Sequence, residues 1–255
     1  MIDVQNQVDT RGIKIQRTGV TGVHLPFFIL NQQVLAKIRF TVALSEKIRG
    51  THMSRLMEIL TDWSNVPMQI SDVEKILREA IKKLDTDFSA IRMAFKFFVK
   101  RTAPVSERVS LLDIDCEIDA ALSRSGEFNF SLQLTVPFTS LCPCSKEISN
   151  FGAHNQRSIC RVKLDFANVE YIDIEKIVQL IESQGSSKLY PVLKREDEKF
   201  VTEAAYQNPK FVEDILRDVV IAVRQIENVS AFEIECENFE SIHNHNAFAS
   251  HIEVL

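Results

Sequence analysis

The chain has 255 residues, 45% hydrophobic and 25% charged, a balance that can bury a sizeable core. Its 30 Lys and Arg against 35 Asp and Glu leave a formal charge of −5, which argues against a general binder of nucleic acid or anionic membranes. Seven Gly and seven Pro are about half the ordinary share, and neither G-x-x-x-x-G-K-[ST] nor G-x-G-x-x-G occurs, so a glycine loop that cradles phosphates is excluded. No apolar run approaches the ~18 residues of a membrane span, and the polar start lacks a charged-then-apolar signal segment. Five cysteines, an odd number in a chain too long to need staples, point to reduced thiols and a cytoplasmic setting.

In chain order, residues 12–30 read as strand with an interruption at Gly19 and Gly22. Residues 34–44 alternate Val34, Ala36, Ile38, Phe40, Val42 and Leu44 on one face at period two. Met53, Leu56, Met57 and Leu60 recur at helical spacing over 51–62. Ser71 to Glu74 has the form of a capping box, opening a helix with Val73, Ile76, Leu77, Ala80, Ile81 and Leu84 as its apolar stripe. Two long strands follow at 88–102 and 107–123, the second placing Cys116 on its apolar face as a core thiol.

The second half repeats this order. Residues 127–138 alternate as strand, a polar segment occupies 139–156, and 158–168 resumes as strand, with Cys160 buried. Asp173 caps a helix carrying Ile174, Ile177, Val178 and Ile181. Asn208-Pro209 opens another, with Pro at the first helical position. Strands at 230–239, holding Cys236, and 246–255 complete the pattern. Each half thus reads ββααββ, with a boundary near 125: a first unit over 1–125 and a second over 126–255 that carries most of the site. The order is not βαβα, so the expected class is α+β, a long antiparallel sheet with helices on one face, both units forming one body.

The chemistry concentrates in the polar segment, Thr139-Ser-Leu-Cys-Pro-Cys-Ser-Lys-Glu-Ile-Ser-Asn-Phe-Gly-Ala-His154-Asn-Gln-Arg-Ser158. Cys142, Cys144 and His154 are donors suited to a borderline-soft metal, although C-x-C lacks the specificity of paired C-x-x-C units and an ordinary loop with incidental thiols is the alternative. A second cluster, Glu240-Ser-Ile-His243-Asn-His245, lies in the turn before the last strand, where a carboxylate and an imidazole suit metal ligation or proton transfer, or form a solvated hairpin. A third, Lys194-Arg-Glu-Asp-Glu-Lys199 with Glu203, is a charge run in a long connection before a helix, either a solvated face or a functional loop. H-E-x-x-H and G-x-S-x-G are absent, and the spacing of a zinc deaminase is not met, since the one H-x-E is His251 to Glu253. A Cys–His nucleophile pair, with Cys142 or Cys144 and His154 or His243, stays open.

Taken together, Thr139–Ser149 with Gly152–Ser158, Gly50-Thr-His-Met-Ser-Arg55, Leu193–Lys199 with Val201-Thr-Glu203, and Glu240–Asn246 resemble the signature of the type IB GTP cyclohydrolases, from near residue 10 to the end. The resemblance implies the tunnelling fold, with two ββααββ units per chain and a homotetramer whose active sites lie at subunit interfaces. It implies GTP as substrate and conversion of GTP and water to 7,8-dihydroneopterin triphosphate and formate, the entry to tetrahydrofolate and other pterins. By the same resemblance Cys142, His154 and Glu198 hold one divalent metal (zinc, manganese or iron), and a metal-activated water attacks guanine C8. His243 serves as general acid/base, Glu240 orients His243 or approaches the metal, and Glu213 accepts from guanine N1–H and the 2-amino group. Lys146, Arg157, Lys194 and Arg195 are left for the triphosphate. The alternatives are a metal-independent Cys-nucleophile enzyme of the same fold acting on a pterin-like base, and a non-catalytic binder of guanine nucleotides.

Overall fold

The structure, a computed structural model, describes residues 3–255. The first ββ pair is β1 (Ile15–Ile29) against β2 (Gln32–Leu44), antiparallel and joined through Leu30 and Asn31. Both connecting residues take positive φ (47° and 66°), the two-residue hairpin turn whose twist suits the strands on either side. Val34, Ala36, Ile38, Phe40 and Val42 are all buried, as their alternation predicts. The Gly19/Gly22 interruption is a register shift between Val20 and Val23 inside one continuous strand. Gly19 faces Thr41, and a Cβ added to it would stand 2.1 Å from the Phe40 carbonyl oxygen, so only glycine permits that approach.

Two helices cross from this pair to the next. Helix α1 (Met53–Ser64) buries Leu56, Ile59 and Leu60 against β1 and against α2 (Val73–Leu84), which buries Val73, Ile76, Leu77 and Ala80. The expected capping box is displaced. Ser71 lies inside a 3-10 turn, Ile70–Asp72, and Asp72 turns its carboxylate onto the Gln69 N–H at 2.8 Å, which commits the chain to the turn before α2 begins. A two-residue strand, β3 (Pro67–Met68), pairs parallel with β1. The strands β4 (Phe88–Thr102) and β5 (Val109–Ser123) complete the first run.

The second run opens with β6 (Phe128–Leu141), which ends three residues later than its alternation suggests, and returns as β7 (Asn155–Phe166). Between them is a short helix, α3 (Pro143–Ile148). Helix α4 (Ile174–Glu182) is capped by Asp173, whose carboxylate accepts the Lys176 N–H at 3.0 Å. The charge run at 194–199 is not a loop; it begins α5 (Arg195–Gln207), too polar to show an apolar stripe. Its anchor is the buried Asp197, which accepts the N–H groups of Lys194 (2.8 Å), Val105 and Ser106 (2.9 Å each) and the Ser106 hydroxyl. Burial opposes that charge, but these hydrogen bonds outweigh it and hold the carboxyl well below the usual carboxylate range. Helix α6 (Val212–Val223) starts later than Asn208-Pro209 predicts, because the Lys210 N–H is donated to the Leu141 carbonyl at 3.0 Å and Asp214 takes the Phe211 N–H instead. The last strands are β8 (Val229–Asn238) and β9 (Ala247–Val254).

The hydrogen-bonded strand order is β3-β1-β2-β4-β5-β6-β7-β8-β9, antiparallel at β1–β2, β2–β4 and β8–β9. Two compact units share these strands. One gathers the chain through Lys96 with Glu117–Leu132 and Phe166–Ile172; the other gathers Phe97–Cys116, Gln133–Asp165 and Asp173–Leu255. Within the second unit, α6 packs on β8, β9 and α4. Its core also holds a charged pair, Arg101 with Glu182, 4% and 1% exposed, with Lys188 3.3 Å from the other Glu182 oxygen. Burial pushes the Glu182 carboxyl up, against the pull of those two cations. Cys116, Cys160 and Cys236 are core residues, with the last two sulfurs 3.5 Å apart and the Cys160 thiol pushed well up by burial.

Candidate functional site

The connection from β6 to β7 lies within the second unit and is built around Cys142. With φ −69° and ψ 120°, Cys142 caps α3; Pro143 takes the first helical position, and the Ser145 N–H points at Cys142 Sγ at 3.5 Å. Cys142 itself is half-buried. The Cys142 N–H donates to the His154 carbonyl at 3.1 Å, and the Ser145 hydroxyl accepts the His154 N–H at 3.2 Å. Thiol and imidazole are thus held together by the backbone on both sides.

The His154 ring is held from behind. Its Nδ1 lies 2.8 Å from Gln156 Oε1 and 3.8 Å from Glu240 Oε2. Gln156 Nε2 donates to Ser140 Oγ at 2.8 Å, and Ser140 Oγ lies 2.8 Å from Ser158 Oγ. Gln156, Ser140 and Ser158 are all buried. At the end of β8, Phe239 N–H donates to the Arg157 carbonyl at 3.0 Å, which carries Glu240 to this spot. Two residues before Glu240 is Asn238, buried, with its Oδ1 lacking a hydrogen-bond partner in the protein.

The other site candidates stand as follows. His243 is exposed and stacks on His245, ring centroids 5.2 Å apart. Glu213 is exposed in the first turn of α6, and Glu198 is exposed on α5 with its Oε2 3.4 Å from Arg195 Nη1. Lys146 donates to the Tyr206 carbonyl at 2.6 Å and lies over the Tyr206 ring, tying α3 to α5. Arg157, Lys194 and Arg195 are exposed. Among the described residues no three His, Cys, Asp or Glu side chains converge as a ready metal cluster. The backbone pairs Cys142 with His154, and Glu240 stands beside the His154 ring. Gln156, Ser140, Ser145 and Asn238 escape a search for reactive residue types. What betrays Gln156, Ser158 and Asn238 is polarity at inward positions of alternating strands, where an apolar residue is expected.

The strands, helices and their order define a tunnelling-fold protein. Uricase from Arthrobacter globiformis superposes with a TM-score of 0.56 at 8% identity over 94% of this chain and 93% of its own, and urate oxidase from Bacillus subtilis 168 with 0.55 at 8% over 94% and 98%. At such identity the likeness concerns the fold alone.

The chain belongs to the type I GTP cyclohydrolase FolE2 family, whose model matches residues 1–249. The GTP cyclohydrolase FolE2 of Citrifermentans bemidjiense is 45% identical over 253 residues, covering 97% of this chain and 93% of that one. That of Geobacter sulfurreducens is 43% identical over 255 residues (98% and 97%), and that of Syntrophobacter fumaroxidans 39% over 254 (98% of each). No helix among the described residues is long and apolar enough to cross a membrane.

Proposed function

We propose that this chain is a metal-dependent GTP cyclohydrolase, converting GTP and water to 7,8-dihydroneopterin triphosphate and formate for tetrahydrofolate and related pterins. The observation that carries the site assignment is the backbone pairing of Cys142 with His154, with Glu240 beside the His154 ring, in a chain of this family. Their chemistry fits a divalent cation. The Cys142 sulfur is oriented by the Ser145 N–H, and the imidazole has its Nδ1 engaged, leaving Nε2 to coordinate. Cys142 and His154 would hold the ion, with Glu198 as the carboxylate ligand; zinc, manganese and iron all suit this donor set. When bound, the cation supplies Lewis-acid activation of water near neutral pH.

The chain's own residues do the rest. Glu213 accepts two hydrogen bonds from the guanine edge, N1–H and the 2-amino group, and so selects guanine. His243 gives a proton to the imidazole nitrogen of the base as the ring opens, and a second proton transfer through it accompanies formate release. Arg157, Lys194, Arg195 and Lys146 offer charge to the triphosphate. Glu213, Glu198 and His243 are all exposed in the single chain, and a neighbouring copy supplies the wall that excludes water around them. The exposed Phe248, Ile252 and Val254 of β9 offer an apolar strand to such an assembly, which we take to be a homotetramer. Five unbridged cysteines suit a reducing, cytoplasmic setting.

Replacing Cys142 by Ala tests the assignment. We expect the purified variant to lose its bound metal and its formate release from GTP together. Unchanged metal content by elemental analysis overturns the ligand assignment.

A further inference from the structure

We infer that Gln156 is a positioning residue that sets the tautomer of His154, so that a proton sits on Nδ1 and the lone pair on Nε2 faces the site. This rests on the reading of Cys142 and His154 as metal ligands and adds the device that makes the imidazole a ligand before any ion arrives.

Two hydrogen-bond patterns satisfy the row His154–Gln156–Ser140–Ser158, whose last three members are buried. In one, His154 Nδ1–H donates to Gln156 Oε1, Gln156 Nε2 donates to Ser140 Oγ, and the Ser140 hydroxyl donates to Ser158. In the other, the carboxamide is turned over, Nε2 donates to a bare Nδ1, and the serines donate in the reverse direction. Internal pairing alone does not choose between them. Glu240 does. Its Oε2 stands 3.8 Å from the same Nδ1, and a lone pair aimed at a carboxylate is repelled where an N–H is attracted. The first pattern is the one with the proton on Nδ1.

Burial makes the choice durable. Gln156, Ser140 and Ser158 lie at inward positions of β6 and β7, away from water that would replace a broken bond. An imidazole with Nδ1–H engaged presents Nε2 as a ligand without first rearranging a proton. The position is also placed by the fold. Residues 154 and 156 are two apart, so their side chains share one side of β7, and His154 sits just before its first residue.

The test uses the full-length chain stripped of metal, with zinc as the probe and affinity read by competition with a chromophoric chelator. Gln156→Leu keeps the shape and removes the acceptor, and should weaken zinc binding by about 10–100-fold. Gln156→Glu restores an acceptor at the same place and should recover most of the loss. His154→Ala should lose the site altogether. If His154→Ala binds zinc as the parent does, the reading of the metal site fails. If His154→Ala loses zinc while Gln156→Leu keeps the parent affinity, the metal site stands and the positioning role is overturned. A second measurement needs no folded Gln156 variant: nitrogen-15 spectra of histidine-labelled, metal-free parent, with His154 assigned by its substitution. Nδ1–H as the neutral tautomer supports the inference, and Nε2–H overturns it.

Discussion

The chain passes twice from a strand pair through helices to a second strand pair, with α1 and α2 between the pairs in the first run and α4, α5 and α6 in the second, and the two runs treat equivalent connections in opposite ways. In the first, β1 and β2 are joined by two residues, Leu30 and Asn31, bent into a tight turn. In the second, β6 and β7 are joined by 142–154, long enough for a helix, two thiols, an imidazole and a serine, Ser145, that ties Cys142 to His154. The last connections differ in the same sense. Between β4 and β5, residues 103–108 are held by the Asp197 carboxylate, whereas 239–246 between β8 and β9 carries Glu240 and an exposed pair of stacked histidines. One run uses its loops to close strands, and the other uses them to present reactive groups from a rigid sheet end.

The largest expected effect breaks that comparison at its reactive side. His243→Ala should cut formate release from GTP by about 10²–10⁴-fold with unchanged metal content and folding. Turnover near that of the parent means the proton transfer lies elsewhere. Next is the polar core of the second unit. Arg101→Met leaves Glu182 buried with Lys188 as its remaining cation, and should cost about 3–5 kcal/mol in denaturant unfolding. The double variant with Glu182→Leu should recover much of the loss; if it does not, packing of the arginine stem rather than the charge pair accounts for it.

A smaller effect concerns Gly185, where a Cβ would lie 2.7 Å from the buried Phe138 ring. Gly185→Ala should destabilise by about 1–3 kcal/mol, read as a lowered melting temperature, because the ring has no free end to yield. A neutral result would show that β6 and the α4 end relax more readily than their burial implies. The smallest effect is one of pH. The Asp197 carboxyl is held below its ordinary value in the fold, so its stabilisation is complete above the unfolded value near ~4 and is lost as pH falls through the folded one. Glu182, raised by burial, works in the opposite sense over its own window. Asp197→Asn should therefore flatten the acid limb of a stability–pH curve; a limb of unchanged steepness assigns it to other carboxylates.

Much of the fold was legible in the residues. Alternation located the long strands to within a few positions, and stripes such as Ile76, Leu77 and Ala80 located α2, because burial on one face is a local and periodic demand. Asp173 was readable as a cap for the same local reason. Helix α5 was not, since its ordering comes from one buried carboxylate that reaches residues 105 and 106, about 90 positions away. The start of α6 was misplaced because the Lys210 N–H serves the end of β6. In the site, residue type marked Cys142, His154, Glu240 and His243 as reactive. It gave no sign that Glu240 would stand beside His154, or that Gln156 and Ser140 would back the ring.

From its sequence alone this protein has its class, the order of its long strands, its lack of a phosphate-cradling glycine loop and its set of reactive side chains. These follow from periodicity and residue chemistry, which act over a few neighbouring positions. The tertiary structure decided which of those side chains meet, which face water and which polar groups stand behind them. Such meetings join residues far apart in the chain, as His154 and Glu240 are, and arise only when the strands that carry them pair.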